Sequence, residues 1–379
     1  MMSNMIIFKR TIEAHIVSRL FKGKAILLFG PRQAGKTTLS KKLLEPFGDA
    51  GGYFNCELAA VRKHFVLGEP ERLSELVAGK KIAVFDEAQT IEDIGAILKA
   101  FIDADTGVQV IATGSSSFDL ANRINEPLTG RVFEFILYPL SLEEMRQALP
   151  DFALADLYEC LRTGSYPGVV AARETALKED VLKNLATNYL YKDVFTFESI
   201  RNPRVFEQLV KLLALQIGSL VSVNELSREL GIARATVEKY LRLLEQSYVI
   251  KVVRAFSRNP RNEIKKAFKV YFIDVGVRNA VIDNVAHIEA RDDRGYIFEN
   301  FFVIERTKQA AADPFGPGIF FWRNRKGAEV DVVEESQGAI IAYECKWGAG
   351  DASASLATFR KAYPNAETTI ATPETVLHE

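Results

Sequence analysis

The chain has 379 residues, of which 48% are hydrophobic and 26% are charged. This length predicts two or three domains, and this composition excludes a chain that is largely disordered or fibrous. The formal net charge is −1, but residues 196–270 hold 14 Lys and Arg against 7 Asp and Glu, a surplus of seven positive charges. A basic middle within an otherwise acidic chain indicates a polyanionic partner.

The cysteines and the apolar runs indicate where the protein acts. Cys56, Cys160 and Cys345 are scattered without paired spacing. This pattern argues against a disulfide framework or a zinc site and favours a reducing compartment. No apolar run approaches the roughly 18 residues that a membrane-spanning helix needs, and the N-terminal apolar run is too short for a secretory signal. We therefore expect a cytoplasmic protein without a membrane partner.

A short apolar run before Gly30 predicts a buried strand, and a phosphate-binding pattern follows it directly. Residues 30–37 read G-P-R-Q-A-G-K-T, the complete G-x-x-x-x-G-K-[ST] pattern, and a helix is predicted from Thr38 onward. Glycines let backbone N–H groups surround a phosphate at a helix N-terminus. Lys36 is expected to reach the β- and γ-phosphates of ATP, and Thr37 to bind Mg²⁺. The pattern predicts these nucleotide-binding residues: Gly30, Pro31, Arg32, Gln33, Ala34, Gly35, Lys36, Thr37 and Thr38.

Two further strands are expected to complete this site. An apolar strand over residues 81–85 ends in Asp86 and Glu87. Asp86 is expected to hold Mg²⁺, directly or through water, and Glu87 to orient and deprotonate the attacking water. A third strand ends at Thr113 and is followed by a Gly-Ser turn, so that Thr113 or Ser115 is predicted to position the water.

The runs GPRQAGKTT, VFDEAQ, IATGSSS, LTGR (128–131) and YPLS (138–141) together resemble the prokaryotic AAA+-type ATPases that carry a C-terminal domain of unknown function. The resemblance extends over essentially the whole chain. It implies an α/β fold with a parallel sheet between helices, ATP hydrolysis with Mg²⁺, and a homo-oligomer, of which a hexamer is one form. It also places Arg131 where an arginine reaches the γ-phosphate of its own or a neighbouring subunit. The alternative is an arginine in a surface ion pair.

Four segments are predicted along the chain. Residues 1–150 form the ATPase core, and residues 151–195 form a helical lid or connector. Residues 196–284 form a winged-helix domain, and residues 285–379 form a restriction-endonuclease-like domain.

The winged helix is predicted from three helices and two strands. Residues 204–217 have apolar side chains at helical spacing, and a capping pattern at Ser222 opens a second helix. A turn at Gly231 leads into a third helix, and two alternating strands with a basic tip follow. The predicted DNA-contacting side chains are Arg234, Arg242, Arg258, Arg261, Lys265 and Lys266. Winged helices also dock proteins or act as lids, so a protein target stays open.

The last hundred residues predict a helix, three strands, a further helix and a last strand. This order, with Asp331 and then Glu344-Cys345-Lys346, resembles the restriction-endonuclease-like D…E-x-K fold. In a nuclease, Asp331 and Glu344 would bind Mg²⁺, with Glu299 on the preceding helix as a further ligand. Lys346 would orient the water or neutralise charge at the phosphorus.

Strand alternation supports such a site. Glu344 and Lys346 share one face of their strand. On the neighbouring strand Asp331 is expected to share a face with Glu329, while the valines on either side of Asp331 face away. Two carboxylates and a lysine are therefore predicted to converge.

Two functions follow from the sequence. The first is an ATP-driven protein that processes branched, forked or foreign DNA and carries a metal-dependent nuclease site. The second is a nucleotide-controlled switch that binds DNA or a protein and whose nuclease-like domain is catalytically inactive.

Overall fold

The computed structural model describes residues 8–115, 128, 130–187, 200, 202–257, 268–313, 315–348 and 354–378. It divides into two compact units. The first comprises residues 8–140 and 246–248, and the second comprises residues 141–245 and 249–379. The finer division into four domains stays a prediction. No helix in the described part of the chain has both the length and the apolar character needed to cross a bilayer.

A five-stranded parallel sheet forms the centre of the first unit. The strands lie in the order β2-β3-β4-β1-β5. β1 and β3 are buried at every position, which is why they are apolar runs rather than alternating ones, apart from Asp86 at the end of β3. The predicted α/β class with a parallel sheet is confirmed. Strands β1 to β5 comprise Ala25–Phe29, Gly51–Asn55, Ile82–Asp86, Gln109–Gly114 and Val132–Ile136.

Helices flank this sheet and complete its core. Ile16 of the first helix and Leu39 of the second pack with Ile26 of β1 in one buried cluster. Each such side chain contributes about 1.5–3 kcal/mol when fully buried. Helices α1 to α5 comprise Ile12–Val17, Lys36–Leu44, Ala59–Arg62, Pro70–Leu76 and Ile94–Asp103, with 3₁₀ turns at Glu45–Ala50 and Ala88–Thr90.

The second unit begins with four helices, of which the first lies in the segment predicted as the ATPase core and the other three lie where the sequence predicts a helical connector. The turn cluster at residues 163–168 separates two of them. Asp274 accepts hydrogen bonds from Ser165 there and also caps a later helix through the backbone N–H of Val277. Helices α6 to α9 comprise Leu142–Ala148, Leu154–Thr163, Pro167–Ala171 and Thr175–Thr187.

Three helices and a three-stranded antiparallel sheet follow; the helices and the last two strands lie in the order predicted for a winged helix, and the short strand β6 was not predicted. Ser222 caps the second of these helices by accepting a hydrogen bond from the backbone N–H of Glu225 at 3.3 Å. Gly231, with φ of +64°, makes the turn to the third helix. The sheet order is β6-β8-β7. The elements are α10 Pro203–Leu215, β6 Leu220–Val221, α11 Val223–Leu230, α12 Arg234–Gln246, β7 Ile250–Arg254 and β8 Phe268–Phe272.

A four-stranded sheet of order β12-β11-β10-β9 ends the chain. β12 runs parallel to β11, and the other neighbours are antiparallel. Its core includes Trp322, Val330, Val333, Ala342 and Phe359. The elements are α13 Val275–Val281, a 3₁₀ turn Ile288–Ala290, α14 Arg294–Ala312, β9 Gly318–Arg323, β10 Glu329–Ser336, β11 Ala339–Cys345, α15 Ala354–Ala362, β12 Glu367–Ala371 and α16 Pro373–Val376.

Strand β10 departs from the alternation predicted for it. Its pairing with β9 shifts by one residue between Val330 and Val333, which marks a β-bulge at Asp331 and Val332. Val330 and Val333 consequently pack in the same core cluster, which strict alternation would not allow. The expectation that both valines flanking Asp331 face the same side is therefore wrong, because a bulge inserts an extra residue.

Candidate functional site

The loop between β1 and α2 has the backbone conformation that its glycines permit. Gly30 has φ of +143°, and a Cβ atom there would lie 2.1 Å from the carbonyl oxygen of Leu137. Only glycine fits this approach. Gly35, with φ of +102°, stands directly before helix α2. The loop therefore leads into the N-terminus of a helix, as the sequence predicts.

Two buried cationic side chains hold this loop. Lys36 is 4% exposed, and its Nζ donates to the carbonyl oxygens of Gly30 at 2.8 Å and Pro31 at 2.9 Å. Arg10, which belongs to no sequence motif, donates from Nη1 to the carbonyl oxygen of Ala34 at 2.7 Å. Buried positive charge beside a helix N-terminus is complementary to a phosphate group.

The carboxylate of Asp86 is the point at which three strands and helix α2 meet. It accepts hydrogen bonds from the hydroxyl groups of Thr37 at 2.8 Å and Thr113 at 2.5 Å. Tyr53 of β2 donates a third. The structure thus brings together the predicted Thr37, Asp86 and Thr113. Tyr53 was missed because β2 carries no motif.

Glu87 lies directly beyond β3 with an unusual backbone conformation. Its φ of +55° is in the left-handed region, which non-glycine residues adopt at a cost of about 1–2 kcal/mol. Its backbone N–H donates to the hydroxyl of Thr113 at 3.1 Å. Such strain is typical of functional positions.

Gln89 connects Glu87 to the end of the third predicted strand. Its Nε2 donates to the carboxylate of Glu87 and to the hydroxyl of Ser115, the latter at 3.1 Å. Its carbonyl oxygen is buried, and no donor within the described residues reaches it. The predicted Glu87, Thr113 and Ser115 therefore lie in one hydrogen-bonded group. The glutamine of the VFDEAQ run was the available signal for Gln89.

The electrostatic field around Asp86 and Glu87 is negative. Burial, and then the charges of Asp86 and Glu87, raises the pKa of the Cys56 thiol to about 12. Burial and the hydrogen bond to Asp86 raise the pKa of Tyr53 above its usual range. A hard divalent cation is complementary to this field, and the Thr37 hydroxyl and the Asp86 carboxylate are oxygen ligands of the kind that Mg²⁺ prefers. The residues present therefore fit Mg²⁺.

Arg131 lies away from the phosphate loop of its own chain. Its backbone carbonyl accepts from the N–H of Ala25, at the opposite end of β1 from the loop. At about 3.3 Å per residue, the five residues of β1 separate the two by roughly 16 Å, farther than an extended arginine reaches. Its side chain pairs with Asp103 at 2.7 Å and is 40% exposed. The predicted contact with the γ-phosphate of its own subunit is therefore wrong.

In the C-terminal sheet, the predicted residues are only partly brought together. Asp331 accepts a hydrogen bond from the backbone N–H of Cys345 at 2.8 Å, and Lys346 pairs with Glu344 at 2.6 Å. Glu299 instead accepts hydrogen bonds from the Lys269 ammonium at 3.0 Å and the Tyr271 hydroxyl at 2.6 Å. Glu299 was wrongly predicted as a metal ligand, because the apolar strand β8 carries a buried lysine to it.

The carboxylates of this region nevertheless act on one another. Burial, and then the charge of Glu299, raises the pKa of Asp331 to about 7, with a smaller contribution from Glu344. Lys269 and the N–H of Cys345 act in the opposite direction. Across the residues that the structure describes, no three His, Cys, Asp or Glu side chains come together in a group that could hold a metal ion. The predicted nuclease ligand set is not assembled.

Of the residues predicted to contact nucleic acid, the structure describes only the two on helix α12, Arg234 and Arg242. Arg234 and Arg242 are exposed on this helix, whereas Val237, Leu241 and Leu244 are buried. Arg234 pairs with Glu238 one turn later at 2.9 Å. The basic tip predicted at Arg258, Arg261, Lys265 and Lys266 lies outside the described residues.

A parallel sheet of this order, with a phosphate loop after β1 and with Asp86 ending β3 just before Glu87, resembles the fold of P-loop ATPases. Residues 22–146 match the AAA domain family, and residues 154–287 and 294–377 match two domains of unknown function, DUF8612 and DUF4143. The chain thus joins an AAA domain to a C-terminal domain of unknown function. The resemblance drawn from the sequence is confirmed.

Several known proteins are similar to this chain. An uncharacterized protein of Mycobacterium tuberculosis is 26% identical over 348 residues, which cover 91% of this chain and 75% of that protein. An uncharacterized protein of Methanocaldococcus jannaschii is 24% identical over 344 residues, which cover 86% and 75%.

Two solved structures are similar to part of this chain. The Holliday junction branch migration motor RuvB of Thermotoga maritima has a TM-score of 0.34 and 17% identity, covering 67% of this chain and 91% of that one. DnaA of Aquifex aeolicus, bound to AMPPCP, has a TM-score of 0.31 and 12% identity, covering 62% and 86%. These scores are too low to transfer the activity of either protein to this chain.

Proposed function

We propose that the protein binds ATP with Mg²⁺ at residues 30–37 and hydrolyses it. The observation that carries this proposal is that the hydroxyl groups of Thr37 and Thr113 both donate to the Asp86 carboxylate. Thr37 directly follows the buried Lys36 in the chain. Thr37 and Asp86 would hold Mg²⁺, which neutralises negative charge on the phosphates during transfer. Loss of hydrolysis in a Lys36→Ala variant tests the proposal.

The hydrogen bonds of the site support a role for each residue. Lys36, which now donates to two loop carbonyls, supplies the charge that the β- and γ-phosphates need. Glu87 accepts the proton of the attacking water. The Thr113 hydroxyl is engaged by Asp86 and the Glu87 N–H, so its role is to fix these two acids. Of the two residues predicted to position the water, Thr113 and Ser115, we therefore propose Ser115 for this role.

Gln89 adds a positioning residue that the sequence did not predict. Its amide nitrogen is held by Glu87 and Ser115, so its buried carbonyl oxygen is free to accept a hydrogen bond from the attacking water. We expect Gln89→Ala to lower kcat about tenfold, the value of one hydrogen bond of roughly 1.4 kcal/mol, with KM unchanged. Steady-state kinetics measure both constants. A rise in KM at constant kcat would show that Gln89 contributes to binding instead.

Arg131 is proposed to act on a neighbouring subunit, because its own loop is out of reach. We expect Arg131→Ala to lower hydrolysis about tenfold or more while ATP binding is retained. A mixture of Arg131→Ala and Lys36→Ala chains provides the control. In mixed oligomers the phosphate loop of an Arg131→Ala chain is intact and can receive Arg131 from a neighbouring Lys36→Ala chain, so hydrolysis should return. Full activity of Arg131→Ala alone would assign the arginine to its surface pair with Asp103.

DNA is proposed as the partner of the second unit. Support comes from the surplus of seven positive charges over residues 196–270 and from Arg234 and Arg242, which are exposed on the third helix of the predicted winged helix. Exposed arginines on such a helix contact phosphates and base edges. We propose branched or forked DNA as the substrate and a homo-oligomer as the active form. Stimulation of ATP hydrolysis by DNA is the expected consequence.

A second candidate function is favoured by the C-terminal sheet. Because Glu299 is engaged by Lys269 and no group of three ligands is assembled within the described residues, these residues do not fit the metal of a nuclease. The protein would then be a nucleotide-controlled switch with a catalytically inactive C-terminal domain. Mg²⁺-dependent cleavage of DNA that is lost in both Asp331→Ala and Lys346→Ala would contradict this candidate and restore the nuclease.

A further inference from the structure

Lys269 is a charged residue in an otherwise apolar strand. It lies in β8 between Phe268 and Val270 and is 1% exposed. Its ammonium pairs with Glu299 of α14 at 3.0 Å and with Glu329 of β10 at 2.6 Å. A lysine buried to this extent is tolerated only when it is paired. The ammonium therefore joins three elements: β8, α14 and β10.

The surroundings of Lys269 supply more negative charge than these two contacts. Asp331, two residues after Glu329, also acts on Lys269 electrostatically. Tyr271, which lies two residues after Lys269 in β8, donates to the same oxygen of Glu299 that Lys269 contacts. We call Lys269, Glu299, Glu329 and Asp331 the lysine cluster. Two of its carboxylates contact the ammonium, and the third, Asp331, acts on it through its charge.

We infer that Lys269 is the resident cation of this cluster and takes the place that a divalent metal would need. A metal bound by Glu299, Glu329 and Asp331 would have to displace the ammonium. The displaced lysine would then be buried without a counter-charge, which is strongly unfavourable. The inference rests on the second candidate function for the C-terminal domain and is independent of ATP hydrolysis.

The same ammonium connects two sheets of the second unit. β8 belongs to the three-stranded sheet of the predicted winged helix, whereas β10 belongs to the C-terminal sheet. Lys269 bridges the two through Glu329 and is also 5.5 Å from the ring centre of Phe321 in β9. An internal cation thus does here what a structural metal does in other small domains.

Mn²⁺ binding to the purified full-length chain, read by electron paramagnetic resonance without nucleotide, tests the inference. An Asp86→Asn background removes the metal ligand of the phosphate loop. We expect no Mn²⁺ bound in this background. Adding Lys269→Met should create one Mn²⁺ site per chain, and adding Asp331→Asn to that double variant should remove it. Since ATP is absent, a failure of the proposed ATPase would leave this result unchanged.

Two results would overturn the inference. One is Mn²⁺ bound by the Asp86→Asn chain and lost on Asp331→Asn, because the cluster would then hold a metal beside Lys269. The other is a folded Lys269→Met chain that gains no Mn²⁺. If Lys269→Met does not fold, the comparison of Asp86→Asn with the Asp86→Asn, Asp331→Asn double variant still tests the inference, because both of these chains keep Lys269.

Discussion

Replacing Glu87 by glutamine is expected to abolish steady-state ATP hydrolysis while ATP binding is retained. The substitution keeps the size of the side chain but removes the carboxylate that accepts the proton of water. General-base catalysis contributes about 10²- to 10⁴-fold, so kcat should fall by that factor. The hydrogen bond from the Glu87 backbone N–H to Thr113 does not involve the side chain, so the loop geometry should survive.

Glu92→Gln is the matched control for this variant. Glu92 is an exposed glutamate five residues after Glu87. Its replacement by glutamine changes the net charge by the same amount but leaves the side chains of the nucleotide site unchanged. Hydrolysis is measured by phosphate release, and ATP affinity by equilibrium binding. Wild-type hydrolysis in Glu87→Gln would remove Glu87 from its role as general base. A parallel loss in Glu92→Gln would show that net charge, and not the site, is responsible.

Replacing Lys269 by methionine is expected to destabilise the second unit by about 3–5 kcal/mol. The substitution preserves side-chain length but leaves the buried Glu299 without its cation, whereas the half-buried Glu329 keeps Arg323 as a partner. For a unit of this size the midpoint of thermal unfolding should fall on the order of 10 °C. The chain's two tryptophans, Trp322 and Trp347, both lie in this unit, so intrinsic tryptophan fluorescence reports its unfolding alone.

Lys346→Met is the control for this experiment, because it removes the same charge from an exposed lysine instead of a buried one. Lys346 is also paired with a glutamate but is 41% exposed, and exposed ion pairs contribute at most about 1 kcal/mol. A double variant, Lys269→Met with Glu299→Gln, should recover part of the lost stability because one unpaired charge is removed. Equal effects of Lys269→Met and Lys346→Met would contradict a buried role for Lys269.

Most of the nucleotide site could be predicted from the sequence because its residues lie in a contiguous motif or at strand ends. Thr37 lies 49 positions before Asp86 and Thr113 lies 27 positions after it, yet both hydroxyl groups reach the Asp86 carboxylate, because parallel strands bring their carboxyl ends to one edge of a sheet. Tyr53 and Gln89 were not predicted. Their roles depend on strand order and turn geometry, which the local sequence does not encode.

Strands β2 and β5 were also not predicted. Gly51–Asn55 begins with two glycines, and most of its positions are only half-buried. Val132–Ile136 has a glutamate at its centre and just one buried residue. Edge strands of a sheet carry a weaker apolar signal than the central β1 and β3, although they complete the same hydrogen-bond ladder.

In the C-terminal sheet, the elements were predicted well but the site was not. Helix α14, strands β9 to β12 and helix α15 lie where the apolar periodicity places them. The bulge at Asp331 has no signature in the sequence, and it alters which side chains share a face. Lys269 comes from a different segment of the chain, so the spacing within the D…E-x-K run does not indicate that Glu299 forms an ion pair with a lysine.

The measurement to make is ATP hydrolysis by the purified protein with Mg²⁺, with and without forked DNA and beside Lys36→Ala, because it shows whether the protein is an ATPase and whether DNA stimulates it. We expect Mg²⁺-dependent hydrolysis that forked DNA stimulates and that Lys36→Ala abolishes. Stimulation would link the basic middle segment to the ATP site. Hydrolysis that is indifferent to DNA would contradict the DNA proposal and favour a protein partner for the predicted winged helix. No hydrolysis by the wild type, or equal hydrolysis by Lys36→Ala, would contradict the ATPase itself.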